Sequence, residues 1–282
     1  MKLVRYGEPG GEKPGLIDGA GTLRDLSAVV PDIGGEVLLP EGLASLGALD
    51  TSKLPIVPGK PRLGPPVAGI GKIVAIGLNY SDHAAESNLP IPTEPIIFMK
   101  ATSSLSGPND PVVIPRGSEK TDWEVELAVV IGRPAVYVEE DAALSHVAGY
   151  AIMNDVSERS FQLERGGQWD KGKGCDTFAP FGPWLVTSDE IADPQALDMR
   201  LDVNGETMQR GNTRTMIFPV SHLVSYVSQF MSLQTGDVIT TGTPPGVGMG
   251  KKPPRYLKPG DVMTLWIDGL GEQRQECVAW AG

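Results

Sequence analysis

The 282-residue chain predicts a β-rich α+β fold, and three observations carry that reading. Glycine (35) and proline (25) together exceed a fifth of the residues without a collagen-like period, so the chain turns often. Short Val/Ile-rich runs recur between those turns. Strand-like runs outnumber helical ones and do not alternate with them, which argues against a doubly wound parallel sheet.

Residues 1–65 read as a small N-terminal α+β unit. It has a strand at Lys2–Tyr6, a second near Leu16–Asp18 and a helix-prone stretch over Pro40–Leu49. Leu54–Pro66 is dense in proline and forms an extended connector. The main domain, 66–282, opens with a buried strand at Gly71–Gly77. Asn79–Glu86 is a turn entering a short helix, with Ser81 or Asp82 placed to cap it and Pro90, Pro92 and Pro95 to end it. Strand-like runs follow at Ile96–Lys100, Pro111–Ile114, Glu124–Ile131 and His146–Asn154. Val220, Leu223, Val224, Val227, Phe230 and Met231 form one apolar stripe, which predicts a helix over about Pro219–Leu233. Gly236 stops it, and Asp237–Thr243 returns as a strand.

A formal charge of −11 and a pI near 4.8 argue against nucleic acid or an anionic membrane as the main partner. The first residues lack the apolar core of a signal peptide, and no apolar run approaches the ~18 residues that span a bilayer. Cys175 and Cys277 are too few for a disulfide framework and read as free thiols. The cytoplasm is the expected compartment.

The chemistry begins with Glu124 and Glu126, two residues apart in an otherwise apolar run. Side chains at i and i+2 of a strand point the same way. Alternating glutamates also describe a solvated strand face, but this face continues as Ala128 and Val130, which belong in a core. Two inward carboxylates with nothing positive between them are strongly disfavoured, so a cation is implied. Asp155, at the end of the next strand-like run, completes an all-oxygen set suited to Mg²⁺, Mn²⁺ or Ca²⁺ rather than zinc. Alone, a strand-end carboxylate serves equally well to cap a turn.

His83 and Glu86 lie at i and i+3 on one helical face, the arrangement of an imidazole oriented as a general base and also of a plain surface pair. Gly166–Gly174 reads as a mobile loop offering Lys171 and Lys173. The turn-rich Thr241–Gly248 has backbone amides suited to an anion. It is not a Walker loop, and no Gly-x-Gly-x-x-Gly follows a strand, so no nucleotide cofactor is expected.

Five of these segments, in this order, resemble the fumarylacetoacetate hydrolase family: Gly77–Glu86, Glu124–Glu126, Asn154–Arg159, Lys173–Pro180 and Asp237–Gly248. The resemblance covers about residues 70–280. It implies a mixed β-roll of curved sheets, a homodimer, and a divalent metal, Mg²⁺ first, with Mn²⁺ or Ca²⁺ as alternatives. Matched by position, Glu124, Glu126 and Asp155 become metal ligands. His83 and Glu86 become the catalytic dyad, Lys173 the active-site lysine, and Arg159, Gln162 and Thr243 substrate contacts. Ser157–Lys173 is similar to members acting on 2,4-dioxo-3-deoxy sugar acids, formerly often labelled ureidoglycolate lyases. The implied activity is hydrolysis of a C–C bond in a 2,4-dioxo acid to pyruvate and a second carboxylic acid. Alternatives are ureidoglycolate lyase, oxaloacetate decarboxylase, or a non-catalytic protein that binds small acids.

Overall fold

The computed structural model describes residues 1–82 and 90–282. Its strands are β1 (Lys2–Tyr6), β2 (Lys13–Ile17), β3 (Leu23–Asp25), β4 (Ile73–Gly77), β5 (Ile96–Lys100), β6 (Leu105–Ser106), β7 (Val112–Ile114), β8 (Thr121–Asp122) and β9 (Val125–Ile131). They continue as β10 (Val147–Asn154), β11 (Ser157–Glu158), β12 (Ala179–Thr187), β13 (Asp198–Val203), β14 (Glu206–Asn212), β15 (Val238–Thr240), β16 (Val262–Ile267) and β17 (Gly271–Ala279). Helices α1 (Pro40–Gly47), α2 (Arg159–Leu163), α3 (Asp170–Lys173) and α4 (Val220–Phe230) lie between them.

A ten-stranded mixed sheet runs β3-β2-β1-β12-β10-β9-β15-β4-β5, with β6 added beside β12. A second sheet runs β14-β13-β16-β17-β7, and β8 pairs with β11. β9 sits mid-sheet, antiparallel to β10 and β15, and all seven of its residues are buried. Cover on both faces is why its sequence is a near-continuous apolar run.

The two faces of β9 enter different cores. Val125, Leu127, Val129 and Ile131 pack with Leu201, Met263 and Leu265 of the second sheet. Ala128 and Val130 pack with Leu3, Leu16, Leu26 and Leu38. Each buried aliphatic side chain contributes about 1.5–3 kcal/mol relative to exposure. The first 65 residues, expected as a small unit ahead of 66–282, therefore share this second core. They also share a sheet, because β1 pairs antiparallel with β12 (Lys2 opposite Val186).

α4 buries Val220, Leu223, Val224 and Val227, as its stripe predicts. It ends at Phe230, and that ring is 61% exposed rather than part of the stripe. Four-residue spacing places it instead on a solvent-side ladder, Phe218–His222–Tyr226–Phe230, with ring centroids 5.3, 5.8 and 4.9 Å apart. Cys175 and Cys277 are both free thiols. Among the described residues no helix is long and apolar enough to cross a membrane.

β10 and β12 approach closely at Gly149, where an added Cβ would lie 2.2 Å from the Val186 carbonyl oxygen. Gly149→Ala is expected to lower stability by about 1–3 kcal/mol, the usual cost of overpacking. A lower denaturant midpoint at unchanged m-value would register it; an unchanged midpoint would show that the strands separate freely here.

Candidate metal centre and active site

Strand geometry delivers the three carboxylates to one point. Glu124 and Glu126 share a face at the start of β9, and Asp155 follows the end of β10, the neighbouring strand. The Asp155 N–H donates to the Glu124 carbonyl (2.9 Å), clipping those two strand ends together. Ligand oxygens of Glu124, Glu126 and Asp155 all lie within 4.8 Å of one another, and all three residues are buried.

Amides from the second sheet fix this corner. Asn154 Oδ1 accepts from the Glu124 N–H (3.2 Å) while its Nδ2 donates to Gln275 Oε1 (3.1 Å). Gln209 Oε1 accepts from the Val125 N–H (3.0 Å), and its Nε2 donates to Thr243 Oγ1 and the Pro244 carbonyl, each at 2.8 Å. The geometry is thus held by protein groups.

Three buried cations surround the carboxylates. Lys173 Nζ donates to Glu124 Oε2 (2.7 Å) and Asp155 Oδ2 (2.6 Å), and lies 5.0 Å over the Phe98 ring. Arg159 Nη2 donates to Glu124 Oε1 (2.6 Å), its Nε to Asp122 Oδ2 (2.9 Å) and its Nη1 to Gln162 Oε1 (3.1 Å). Lys100 Nζ donates to Asp155 Oδ1 (2.6 Å) and to the carbonyls of Val156 and Lys173 (3.3 and 2.5 Å). Burial opposes charge on Lys173, yet Asp155 and Glu124 beside it keep its ammonium above the ordinary value. Burial also opposes charge on Glu124, but Lys173 and Arg159 outweigh it and hold that carboxyl down at about 2. At Lys100 burial wins, and its ammonium falls below the ordinary value despite Asp155.

Glu126 differs. It is 2% exposed and accepts from Thr240 Oγ1 (2.5 Å) and the Gly242 N–H (2.9 Å), but among the described residues it has no ion-pair partner. Burial first, then Asp155 and Glu124, push its carboxyl well above the usual range. The site therefore carries one negative charge for which the described residues supply no paired cation. Three clustered carboxylate oxygens and that deficit fit a hard divalent ion.

Several sequence expectations now have a place. Gly166–Gly174 is not simply a loop: its end forms α3, which buries Lys173 against the carboxylates and leaves Lys171 outside, bonded to the Arg165 carbonyl. The amides of the 241–248 segment and of Met249 beyond it do bind anions, but these are the protein's own. Gly242 serves Glu126, while Gly248 and Met249 serve Asp122 (2.6 and 3.0 Å). Arg159 and Gln162 reach the site edge. The Thr243 hydroxyl is committed to the Val125 carbonyl (2.9 Å) and to Gln209. His83 and Glu86 lie outside the described residues. Sequence reasoning missed Lys100 and Asp122. The signal for Lys100 was its alternation with Phe98 on the inward phase of β5.

A chamber of about 670 Å³ opens onto Glu124, Glu126, Arg159 and Lys173, with Phe98, Trp169, Leu163, Val247 and Met249 among its walls. A larger hollow of about 760 Å³, lined by Arg200, Asp202 and Trp266, holds none of the carboxylate set.

A model of the fumarylacetoacetate (FAA) hydrolase C-terminal region matches residues 72–278. A Burkholderia multivorans protein, provisionally named as a hydrolase, is 63% identical, covering 98% of this chain and 98% of its own length. The maleylpyruvate hydrolase of Sphingobium sp. SYK-6, solved with manganese(II) and pyruvate, is 31% identical with a TM-score of 0.83 and covers 100% of both chains. The 5-carboxymethyl-2-hydroxymuconate delta-isomerase of Mycobacterium smegmatis is 34% identical with a TM-score of 0.79, again over 100% of both chains. Likeness along the whole chain to proteins of both hydrolase and isomerase type, joined to a family match over most of its length, places this chain in the fumarylacetoacetate hydrolase family.

Proposed function

We propose that this chain is a metal-dependent hydrolase that cleaves the C3–C4 bond of a 2,4-dioxo acid, giving pyruvate and a second carboxylic acid. The observation that carries the reading is the buried carboxylate set, in which Glu126 has no ion-pair partner among the described residues. Glu124, Glu126 and Asp155 would hold the cation, Mg²⁺ first among candidates; the manganese and pyruvate in the Sphingobium hydrolase support a divalent ion beside a 2-oxo acid. When bound, such an ion polarises the 2-oxo group and stabilises negative charge on the pyruvoyl fragment.

The protein's own groups supply the rest. Among the described residues four carboxylates (Asp122, Glu124, Glu126, Asp155) face three cations (Lys100, Arg159, Lys173), so a divalent ion would turn their balance positive and favour an anionic substrate. Arg159 and Gln162 line the chamber where they would orient the substrate carboxylate. Thr243, its hydroxyl already engaged, would contribute through the main chain. His83, oriented by Glu86, would take a proton from the water that adds to C4. The C3–C4 bond would then break with its electron pair on the pyruvoyl fragment beside the Lys173 ammonium, and return of the proton to C3 would give pyruvate and restore His83.

A coupled pyruvate-release assay over acylpyruvates and 2,4-dioxo sugar acids tests this. Release is expected with Mg²⁺ or Mn²⁺, to vanish with EDTA and to return on adding metal. No pyruvate from any of these acids would overturn the reading. His83→Ala is expected to slow hydrolysis by about 10²–10⁴-fold while retaining metal binding. Wild-type turnover in that variant would remove the dyad from the mechanism, and retained oxaloacetate decarboxylation would separate that activity from hydrolysis.

A further inference from the structure

Arg159 lines the chamber, and its aim is set beside it by a strand of two residues. β8 pairs antiparallel with β11, Ser157 opposite Asp122 and Glu158 opposite Thr121, and the Arg159 N–H continues this ladder onto the Lys120 carbonyl (3.0 Å). That register brings the Asp122 carboxylate to the Arg159 guanidinium, with the two residues only 0% and 4% exposed. A guanidinium has five N–H donors. Nε is taken by Asp122, and each terminal nitrogen gives one bond, Nη1 to Gln162 and Nη2 to Glu124. One N–H on each terminal nitrogen is thus uncommitted among the described residues, and such a pair suits a planar carboxylate.

Asp122 holds more than the arginine. Its Oδ1 accepts from the Trp123 and Gly248 N–H groups (2.8 and 2.6 Å), and its Oδ2 from Arg159 Nε and the Met249 N–H (2.9 and 3.0 Å). An added Cβ at residue 248 would lie 2.7 Å from Oδ1, so glycine is what lets that amide come so close. Beyond Met249 the chain walls the chamber at Gly250, Lys251 and Pro254, then returns to β8, where the Leu257 N–H meets the Thr121 carbonyl (2.8 Å). Both ends of this wall segment are therefore tied to β8, and one carboxylate joins it to Arg159. Capping three backbone amides would make Asp122 a piece of turn structure; its bond to Arg159 gives it a bearing on the ligand. Among the described residues Glu124 is the guanidinium's other anionic partner, and it is a candidate ligand of the ion. With the Asp122 charge gone, the pull of Glu124 would act alone and draw the guanidinium toward the carboxylate set.

We infer that Asp122 is a positioning residue that acts through Arg159. It balances the pull of Glu124, presents the guanidinium to the carboxylate of a 2-oxo acid, and locks that arginine to the chamber wall at residues 248–257. The inference rests on the proposed function for the identity of the ligand, and adds to it a residue that does not itself line the chamber.

Pyruvate is the probe, because calorimetry can titrate its binding to the Mg²⁺-loaded protein whether or not hydrolysis occurs. Every bond at the Asp122 carboxylate is donated to it, so Asp122→Asn keeps the shape but sets an amide N–H₂ against one pair of donors. The variant is expected to raise the pyruvate Kd, and the KM for acylpyruvates, about tenfold, with kcat and Mg²⁺ affinity within about threefold of wild type. In an Arg159→Met background the same substitution is expected to add no further rise, as two residues acting through one contact require. A pyruvate Kd unmoved by Asp122→Asn, a loss of Mg²⁺ binding in step with pyruvate binding, or effects that add in the double variant overturns the inference. So does a wild type that binds no pyruvate. A second arm needs no variant. Gly248 does not line the chamber, yet its amide shares Asp122 with Arg159, so pyruvate is expected to slow hydrogen exchange at that amide, read by NMR, about fivefold. Unchanged exchange there overturns the coupling. A wild type that binds pyruvate but releases none from any 2,4-dioxo acid overturns the hydrolysis reading and leaves this inference standing.

Discussion

Glu126→Gln is expected to abolish pyruvate release and, with no metal bound, to make the protein more stable. The two effects have one cause. The Glu126 carboxylate is the charge for which the described residues provide no ion pair, so without a cation its ionisation opposes folding. Its folded-state pKa lies above the ordinary 4.5. From about that pH upward the native state keeps a proton that the unfolded chain releases, so metal-free stability falls as pH rises through this window. Gln removes the slope. A divalent ion favours the ionised form, so the stabilisation gained on adding metal should grow with pH in the wild type and be small in the variant. Glu124→Gln is the contrast: Glu124 pairs with both Lys173 and Arg159, and removing its charge leaves these buried cations only Asp155 and Asp122 respectively. That variant should lose metal-free stability as well as activity. Thermal unfolding from pH 5 to 8, with EDTA and with Mn²⁺, separates the cases. A metal-free Glu126→Gln protein less stable than wild type would refute the account.

Lys100→Met should cost about 3–5 kcal/mol of stability, the range for breaking a buried ion pair from one side. Lys100 is 2% exposed, and its ammonium ties the Asp155 carboxylate on one strand end to the Lys173 carbonyl at the end of α3. Burial outweighs Asp155 in setting its pKa, so the pair is not a net source of stability relative to an apolar core. Its cost when broken is the penalty of leaving Asp155 Oδ1 and two carbonyls without their donor. A midpoint shift in guanidinium unfolding measures this. A loss below about 1 kcal/mol would show that Lys173 alone suffices for Asp155.

The legible part of the site followed from local periodicity. Two glutamates at i and i+2, continued by Ala128 and Val130, were enough to place carboxylates inward on β9, and Asp155 lay at a strand end where a third could reach them. The helix at 220–230 and the strands at 73–77, 96–100 and 147–154 came from the same patterns. What local pattern cannot carry is partnership. Nothing near Lys2 announces that it will lie opposite Val186, so sharing of a sheet and a core by residues 1–65 was invisible. Lys100 looked like a polar strand end because its partners, Asp155 and the Lys173 carbonyl, are remote in sequence. Asp122 lay next to the noticed pair, yet its role depends on Arg159 and on amides of a segment much further along. The turn-rich 241–248 segment was read as one whose amides could hold an anion, and only the fold could reveal that the anions are Glu126 and Asp122 and that Met249, just beyond it, joins in.

The order of strands across the large sheet also constrains how the chain is made. β9 lies between β10, its near neighbour in sequence, and β15, which leaves the ribosome much later. Until β15 arrives, one edge of β9 is bare, and Glu126 is without two of the groups that hold it in the folded chain, the Thr240 hydroxyl and the Gly242 amide. Charges pointing inward from an open edge discourage pairing with another chain. Carboxylates on a face of β9 thus also lower the tendency of that bare edge to pair with another chain before β15 arrives.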